Sequence, residues 1–249
     1  EPKLFDLLKM AKRVWQETGG AFDVTVGPLI RAWGVFRREG RMPEPGEIEE
    51  ALDKVGMQHV HLHEENNSVT FDKPGIEINL GGIGKGYVVD RVVEMYRTWE
   101  VETVLVHTGN STISAVGHPP TGEEWYIGVA DPHDAEKSLG LIGLEDRSMS
   151  ISGSSEQFFE LEGRRYSHII DPRTGQPAQG MLQTVALGPS AAETDALATA
   201  FFVMGVEKTR ELCEKAGDEI DAVLIAGDSP EAMQVHNVGV EFESEEQPE

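Results

Sequence analysis

The chain has 249 residues, 39% of them hydrophobic, and carries a formal net charge of −23. This length and composition are typical of a folded globular protein and exclude a disordered chain. The strong negative charge disfavours a nucleic-acid partner, because phosphate binding needs a basic surface. An anionic substrate would need a local site that offsets this charge, and a divalent metal is the simplest way to provide one.

The start of the chain shows neither a leader-like segment nor an apolar stretch long enough to cross a bilayer. A helical pattern is already under way at Glu1-Pro2. We therefore expect that either a targeting segment has been removed or an N-terminal part of the fold is absent. The single cysteine, Cys213, excludes an internal disulfide.

The first half of the chain combines helical periodicity with short alternating segments. Apolar residues at helical spacing predict a first helix, which Gly19-Gly20 ends. An Asn66-Asn67 turn predicts a hairpin. The predicted elements are helices over residues 4–15, 45–55 and 85–99, an apolar turn or second helix over 22–33, and strands over 59–62, 69–71 and 76–80.

The second half is richer in strands. The predicted strands cover residues 103–106, 112–117, 125–129, 149–153, 158–161, 165–170, 185–187 and 221–225, and the predicted helices cover 191–204 and 206–216. Strand pairs in series with a few interposed helices are typical of an α+β fold. The sequence therefore predicts two sheet-containing lobes with flanking helices.

A glycine-rich segment runs from Asn79 to Tyr87. A strand that breaks into glycines before a helix presents backbone N–H groups to an anion, and Lys85 adds a positive charge beside them. The segment has neither the Ser/Thr of a Walker P-loop nor the Rossmann glycine spacing. Two interpretations stay open here: an anion-binding turn, or a strand-to-helix turn that glycines allow to pack tightly.

A second segment runs from Tyr166 to Gly175 and contains His168 and Asp171 on a strand that ends in a Pro/Gly turn. His168 is a candidate general base or ligand, or else a polar residue at a strand end. Asp171 is a candidate catalytic carboxylate, but Asp-Pro also favours turn initiation.

A third segment places Asp195 and Thr199 four residues apart on a predicted helix, so both side chains share one face. A carboxylate and a hydroxyl suit Mg²⁺, which prefers oxygen ligands. The alternative is an N-terminal cap supplied by Thr194 or Asp195, with Thr199 incidental.

These segments occur in the order that is typical of a known family. The chain resembles the ApbE family, the FAD:protein FMN transferases, from about Leu7 to about Val240. The matching blocks are Gly20–Leu29 with Trp33-Gly34, Leu80–Tyr87 with Asp90, Ser167–Gly175, and Thr194–Ala200. The resemblance implies one ApbE-like, T-fold-like domain over residues 1–249, with N-terminal strands absent and an acidic tail at about 241–249.

The resemblance also implies roles for particular residues. The flavin site would be lined by Ala21, Phe22, Asp23, Asn79, Lys85 and Ile170. The metal would be held by the main-chain carbonyl of Gly82 and by Asp195 and Thr199, with a contact at Ala198. His168 would activate the acceptor hydroxyl, with Asp171 as the second catalytic residue.

The implied activity is Mg²⁺-dependent transfer of FMN from FAD to a Ser or Thr hydroxyl of an acceptor flavoprotein, with release of AMP. Splitting a pyrophosphate needs a metal to offset developing charge and a base for the nucleophile, in agreement with these residue types. Two alternatives stay open: an FAD pyrophosphatase, and a catalytically weak flavin-binding relative. The resemblance implies an extracytoplasmic, possibly membrane-anchored location.

Overall fold

The computed structural model describes residues 1–35, 40–109, 111–122, 124–153, 158–161, 164–227 and 232–244. The chain divides into two compact units. Unit 1 comprises residues 1–82 and 156–179, and unit 2 comprises residues 83–155 and 180–249. Of the predicted acidic tail at 241–249, residues 245–249 lie outside the described residues.

The elements confirm the predicted mixed fold with several sheets. The helices are α1 (Pro2–Glu17), α2 (Gly27–Ala32), α3 (Glu47–Leu52), α4 (Gly84–Thr98) and α5 (Ala191–Ala216). The strands are β1 (Val60–His63), β2 (Ser68–Phe71), β3 (Val104–Thr108), β4 (Thr112–Val116), β5 (Trp125–Ala130), β6 (Ser138–Leu144), β7 (Ser148–Gly153), β8 (Phe158–Leu161), β9 (Arg164–Ser167), β10 (Met181–Gly188), β11 (Asp221–Ala226), β12 (Gln234–Val238) and β13 (Glu243–Ser244). Among the described residues, we find no helix that combines the length and the apolar character that a bilayer crossing requires.

Unit 1 contains the helices α1 to α3 and two antiparallel hairpins, β1–β2 and β8–β9. The amphipathic pattern of α1 buries an apolar face that includes Phe5, Leu8 and Val14. A second cluster forms around Leu29 and Trp33, with Ala51 and Ile170 packed into it. The predicted helices over 4–15 and 45–55 and the hairpin around Asn66-Asn67 are thus confirmed.

The predicted strand at 76–80 does not form a ladder. Glu77 makes one isolated parallel bridge with Val26, and the Asn79 backbone N–H donates to the Val24 carbonyl at 2.6 Å. The reason is that α2 begins at Gly27, one residue after the bridge, so the neighbouring segment turns into a helix before further pairs can form. This strand prediction was wrong, although the segment is held beside residues 24–26.

Unit 2 is built on a six-stranded sheet in the order β12-β11-β10-β7-β4-β3, in which every neighbouring pair is antiparallel. A smaller sheet has the order β13-β6-β5. Their core includes Ile142, Leu144, Met149 and Val185, all of which are fully buried. β6 was not predicted, because Gly140 and Gly143 weaken its strand signal.

The two helices predicted over 191–204 and 206–216 form the single element α5 with a kink. Gly205, at φ 74° and ψ −176°, departs from helical geometry between them. Glycine tolerates this positive φ because it has no Cβ. The predicted boundary at residue 205 is therefore confirmed as the position of the kink.

The contact between α4 and α5 requires a glycine at position 86. A Cβ added to Gly86 would lie 1.9 Å from the Ala191 carbonyl oxygen and 2.6 Å from the Ala192 Cα. Both are backbone atoms, so no side-chain rotation could relieve the overlap. The glycine-rich turn therefore does allow tight packing, as the second interpretation of this segment proposed.

We expect Gly86→Ala to lower the free energy of unfolding by about 3 kcal/mol, because the two helix backbones must separate. Gly128→Ala is the matched control, since a Cβ there meets only ordinary contacts at 3.7 and 3.9 Å. Urea unfolding of both variants measures the difference. Equal stabilities of the two variants would contradict the close-packing explanation.

Candidate functional site

The Asp195 carboxylate in unit 2 is buried and is held by the first turn of α4. Its side chain is 2% exposed. The Lys85 ammonium lies 3.0 Å from Oδ1, and the Gly86 backbone N–H donates to Oδ2 at 3.1 Å. The Lys85 side chain is itself 44% exposed, so this ion pair extends from the interior to the protein surface. Sequence reasoning named Lys85 and Asp195 separately, and the structure brings them together.

The N-terminal cap of α5 is provided by Ser190, whose Oγ accepts from the Glu193 N–H. Asp90 of α4 supports this cap, since its carboxylate accepts from the Ala191 and Ala192 N–H groups. The suggestion that Thr194 or Asp195 caps the helix was therefore wrong. The Ser-x-x-Glu pattern beginning at Ser190 is a capping-box signal and could have identified the correct residue.

Because α5 begins at Ala191, the Asp195 carboxylate does not cap its own helix and accepts from the first turn of α4 instead. Thr199, one turn further along, is half-buried, and its Oγ1 donates to the Asp195 carbonyl at 3.3 Å. Ser152 of β7 places its Oγ 3.3 Å from Thr199 Oγ1. The Ala198 carbonyl accepts a hydrogen bond from Thr184 Oγ1 at 2.7 Å. The face of the sheet under this part of α5 is thus lined with hydroxyl groups.

Ser152 and Thr184 were not identified from the sequence as site residues. The available signal was the alternation of Ser148, Ser150 and Ser152 along β7, which puts three hydroxyls on one strand face. Ser150 Oγ lies 2.9 Å from Thr194 Oγ1 of α5. Polar contacts of this kind orient the helix more specifically than apolar packing does, because each buried hydroxyl needs a partner.

The donor set at Asp195 suits a hard cation. Asp195 and Thr199 offer oxygens, and the Lys85 ammonium shows that Oδ1 accommodates a positive charge. Within the part of the chain that the structure describes, no group of three or more His, Cys, Asp or Glu residues is arranged to hold a metal ion. A metal here would therefore depend on one protein carboxylate together with neutral oxygens.

In unit 1 the predicted flavin residues Ala21, Phe22 and Asp23 are all buried, with exposures of 1, 4 and 5%. Asp23 Oδ1 accepts from the Thr25 N–H and hydroxyl, and Oδ2 accepts from the Met57 N–H at 3.0 Å. The Asp23 carboxylate thus fastens the loop after α1 to residue 57. Its first role in the structure is to hold the shape of this loop.

Burial raises the pKa of the Asp23 carboxyl above its ordinary value of 3.8, although the hydrogen bonds from Thr25 and Met57 act in the opposite direction. The carboxyl is therefore a buried acid for which the charged form is costly. Asn79 lies beside this loop, because its N–H donates to the Val24 carbonyl. Its Oδ1 accepts from the Gly81 N–H at 2.8 Å, which shapes the glycine-rich turn.

The turn after β9 is organised by Asp171. Its carboxylate receives Arg173 Nε and Nη2, each at 2.8 Å, and its carbonyl accepts from the Gly175 N–H. The Gly175 carbonyl in turn accepts from Trp33 Nε1 at 2.7 Å, which anchors the turn on the residue that directly follows α2. Turn initiation by Asp-Pro is thus confirmed. A catalytic role for Asp171 stays a prediction.

The other two residues predicted for this segment lie at the start of the same turn. Ile170 is 5% exposed and makes an isolated bridge with Pro177. His168 is half-buried and directly follows β9. The predicted site residues thus divide between the two units. The unit 1 set is Ala21, Phe22, Asp23, Asn79, Gly82, His168, Ile170 and Asp171. The unit 2 set is Lys85, Asp195, Ala198 and Thr199.

Comparison with known proteins gives one consistent family. A family profile described as the ApbE family matches residues 1–224. FAD:protein FMN transferases from Salmonella typhimurium and Treponema pallidum are 30% and 32% identical to the chain, each over 90% of it. The chain spans 65% and 66% of the lengths of these two relatives.

Solved structures agree with this result. The ApbE protein of Thermotoga maritima matches with a TM-score of 0.85 and 32% identity, over 96% of this chain and 76% of that one. The flavin transferase ApbE of Vibrio cholerae matches with a TM-score of 0.82 and 29% identity, over 96% and 75%.

We expect Asp23→Asn to lower the free energy of unfolding by about 1–3 kcal/mol, because an amide nitrogen replaces one hydrogen-bond acceptor. The folded pKa of Asp23 lies above the unfolded one, so its contribution to stability is complete below about pH 3.8 and is lost as pH rises through the raised pKa. Asparagine does not titrate, so the stability gap between wild type and variant should narrow as pH rises.

Urea unfolding from about pH 4 to about pH 7 measures this gap. Asp6→Asn, on the exposed part of α1, is the control for removing a carboxylate without burial. If the stability gap widened with pH instead, the hydrogen bonds would lower the pKa of Asp23 by more than burial raises it.

Proposed function

The chain belongs to the ApbE family, and on this basis we propose that it is an FAD:protein FMN transferase. The observation that carries the proposal is the buried Asp195 carboxylate on α5, which the first turn of α4 holds beside Lys85 and Gly86. This carboxylate lies within the block of the chain that the family profile matches. A buried carboxylate at this position could hold a divalent metal, and such a metal would bind an anionic substrate.

The proposed substrate is FAD, and the proposed acceptor is a Ser or Thr hydroxyl of a flavoprotein. The hydroxyl oxygen attacks the phosphorus on the FMN side of the pyrophosphate and forms a phosphoester bond. The bond from that phosphorus to the bridging oxygen breaks, and AMP leaves with the oxygen. In this proposal the hydroxyl proton passes to His168, which is a suitable general base at neutral pH.

The proposed metal is Mg²⁺, held by Asp195 and Thr199 with the Gly82 carbonyl and a contact at Ala198. When bound, such an ion offsets the charge that develops on pyrophosphate oxygens. Asp195 supplies the charge that holds the ion, and Thr199 supplies a hydroxyl on the same helix. Lys85 extends from Asp195 towards solvent and can bind a phosphate oxygen.

Unit 1 is proposed to bind the flavin part of the substrate. The loop of Ala21, Phe22 and Asp23 has a fixed shape because the Asp23 carboxylate is fully hydrogen-bonded. Asn79 is tied to the same loop, and Ile170 follows His168 by two residues. We propose that Asp171, engaged by Arg173, acts by keeping the His168 turn in place.

We also propose that the two units act as one catalytic domain, because the family profile spans residues of both. An extracytoplasmic location, facing membrane flavoproteins, stays a prediction.

The direct test incubates the purified chain with FAD and Mg²⁺, with and without a flavinylatable acceptor domain. AMP release and covalent flavin fluorescence on a denaturing gel are followed together. We expect AMP together with a fluorescent acceptor. AMP with free FMN alone would support the FAD pyrophosphatase instead, and bound flavin without AMP would support a binding protein.

The residue roles make a second prediction. Asp195→Asn should abolish the Mg²⁺-dependent part of the activity, and His168→Ala should lower kcat by about 10²–10⁴-fold with a smaller effect on FAD binding. His133→Ala, which alters an exposed histidine outside both predicted sets, is the matched control. Wild-type turnover in either site variant would remove the role assigned to that residue.

A further inference from the structure

The carboxylate proposed to hold the metal already has a cation on it. Lys85 Nζ lies 3.0 Å from Asp195 Oδ1, and Oδ2 accepts a hydrogen bond from the Gly86 N–H. The two contacts differ in kind. The Gly86 N–H is part of the α4 backbone, whereas the Lys85 ammonium ends a flexible side chain that is 44% exposed.

A metal ion on Oδ1 would lie close to the Lys85 ammonium if the lysine stayed in place. Mg²⁺ binds carboxylate oxygen at about 2.1 Å, so with Lys85 unmoved the ion would lie within roughly 5 Å of Nζ. Two cations this close repel each other strongly where solvent is partly excluded. This repulsion favours opening of the ion pair when the metal binds, and the half-exposed lysine is the partner that can move into solvent.

We propose that Lys85 is a positioning residue that occupies the metal's place on Asp195 and is displaced by the metal towards the substrate's phosphates. This inference rests on the proposed metal site at Asp195. Without the metal, Lys85 neutralises a carboxylate that is only 2% exposed, which would otherwise be a costly buried charge. The Gly86 N–H keeps the carboxylate oriented while the cations exchange.

Displacement of Lys85 couples the binding of the metal to the binding of the nucleotide. Once the metal has released it, the Lys85 ammonium needs a new anionic partner, and a pyrophosphate supplies one. Metal binding should therefore tighten nucleotide binding, and the nucleotide should tighten metal binding by the same factor. Before the metal binds, the Lys85–Asp195 ion pair keeps the site neutral, although the chain as a whole has a net charge of −23.

The test measures Mn²⁺ affinity by electron paramagnetic resonance in the absence of FAD, for wild type, Lys85→Met, Lys85→Arg and Asp195→Asn. We expect Lys85→Met to bind Mn²⁺ about 10-fold more tightly than wild type, because the competing ammonium is gone. Lys85→Arg, which keeps the cation, should resemble wild type. Lys85→Met should also gain more thermal stability from Mn²⁺ than wild type does.

The outcomes separate this inference from the proposed function. Mn²⁺ binding that Asp195→Asn loses, but that Lys85→Met leaves unchanged or weakens, overturns the inference and leaves the metal site standing. Binding by Lys85→Met but not by wild type supports the inference, since Lys85 then blocks the site fully. No binding by any variant overturns both the metal site and the inference.

Discussion

Two contacts between α4 and α5 of unit 2, one buried and one partly buried, each join a carboxylate of one helix to the start of the other. Asp195 of α5 accepts from the Gly86 N–H in the first turn of α4. Asp90 of α4 accepts from the Ala191 and Ala192 N–H groups that begin α5. Each carboxylate satisfies donors that a helix start leaves without intrahelical partners and lies at the positive end of a helix dipole.

These two contacts bring α4 and α5 close together. The close approach leaves no room for a side chain at position 86. A side chain at Gly86 would overlap the Ala191 carbonyl, so the same glycine permits both the packing and the contact to Asp195. The glycine-rich turn therefore does two things at once: it allows the helices to pack closely, and it forms part of a charged site. The close packing is what delivers a backbone N–H and the Lys85 ammonium to one buried carboxylate.

The sequence predicts elements well where local pattern and tertiary context agree, as in α1, α3 and the β1–β2 hairpin. It fails at residues 76–80, where an alternating pattern meets a neighbour that turns into α2 at Gly27. It also misses β6, whose glycines hide the strand signal. The pairing of Lys85 with Asp195 joins residues 110 positions apart, and no local pattern specifies so distant a contact.

The family resemblance indicated three carboxylates as site residues, and the structure shows that they differ in their hydrogen-bond partners. The Asp23 carboxylate accepts hydrogen bonds from Thr25, Met57 and Trp15, and the Asp171 carboxylate is paired with the Arg173 guanidinium. Asp195 differs from Asp23, because one of its two partners, Lys85, is a side chain that is 44% exposed. An exposed side-chain partner can give way to a ligand without disturbing the fold, whereas the backbone donors that Asp23 binds cannot leave it unless the loop itself moves. By this criterion Asp195 is better suited than Asp23 to bind a ligand, whereas Asp23 holds a loop of unit 1 in place.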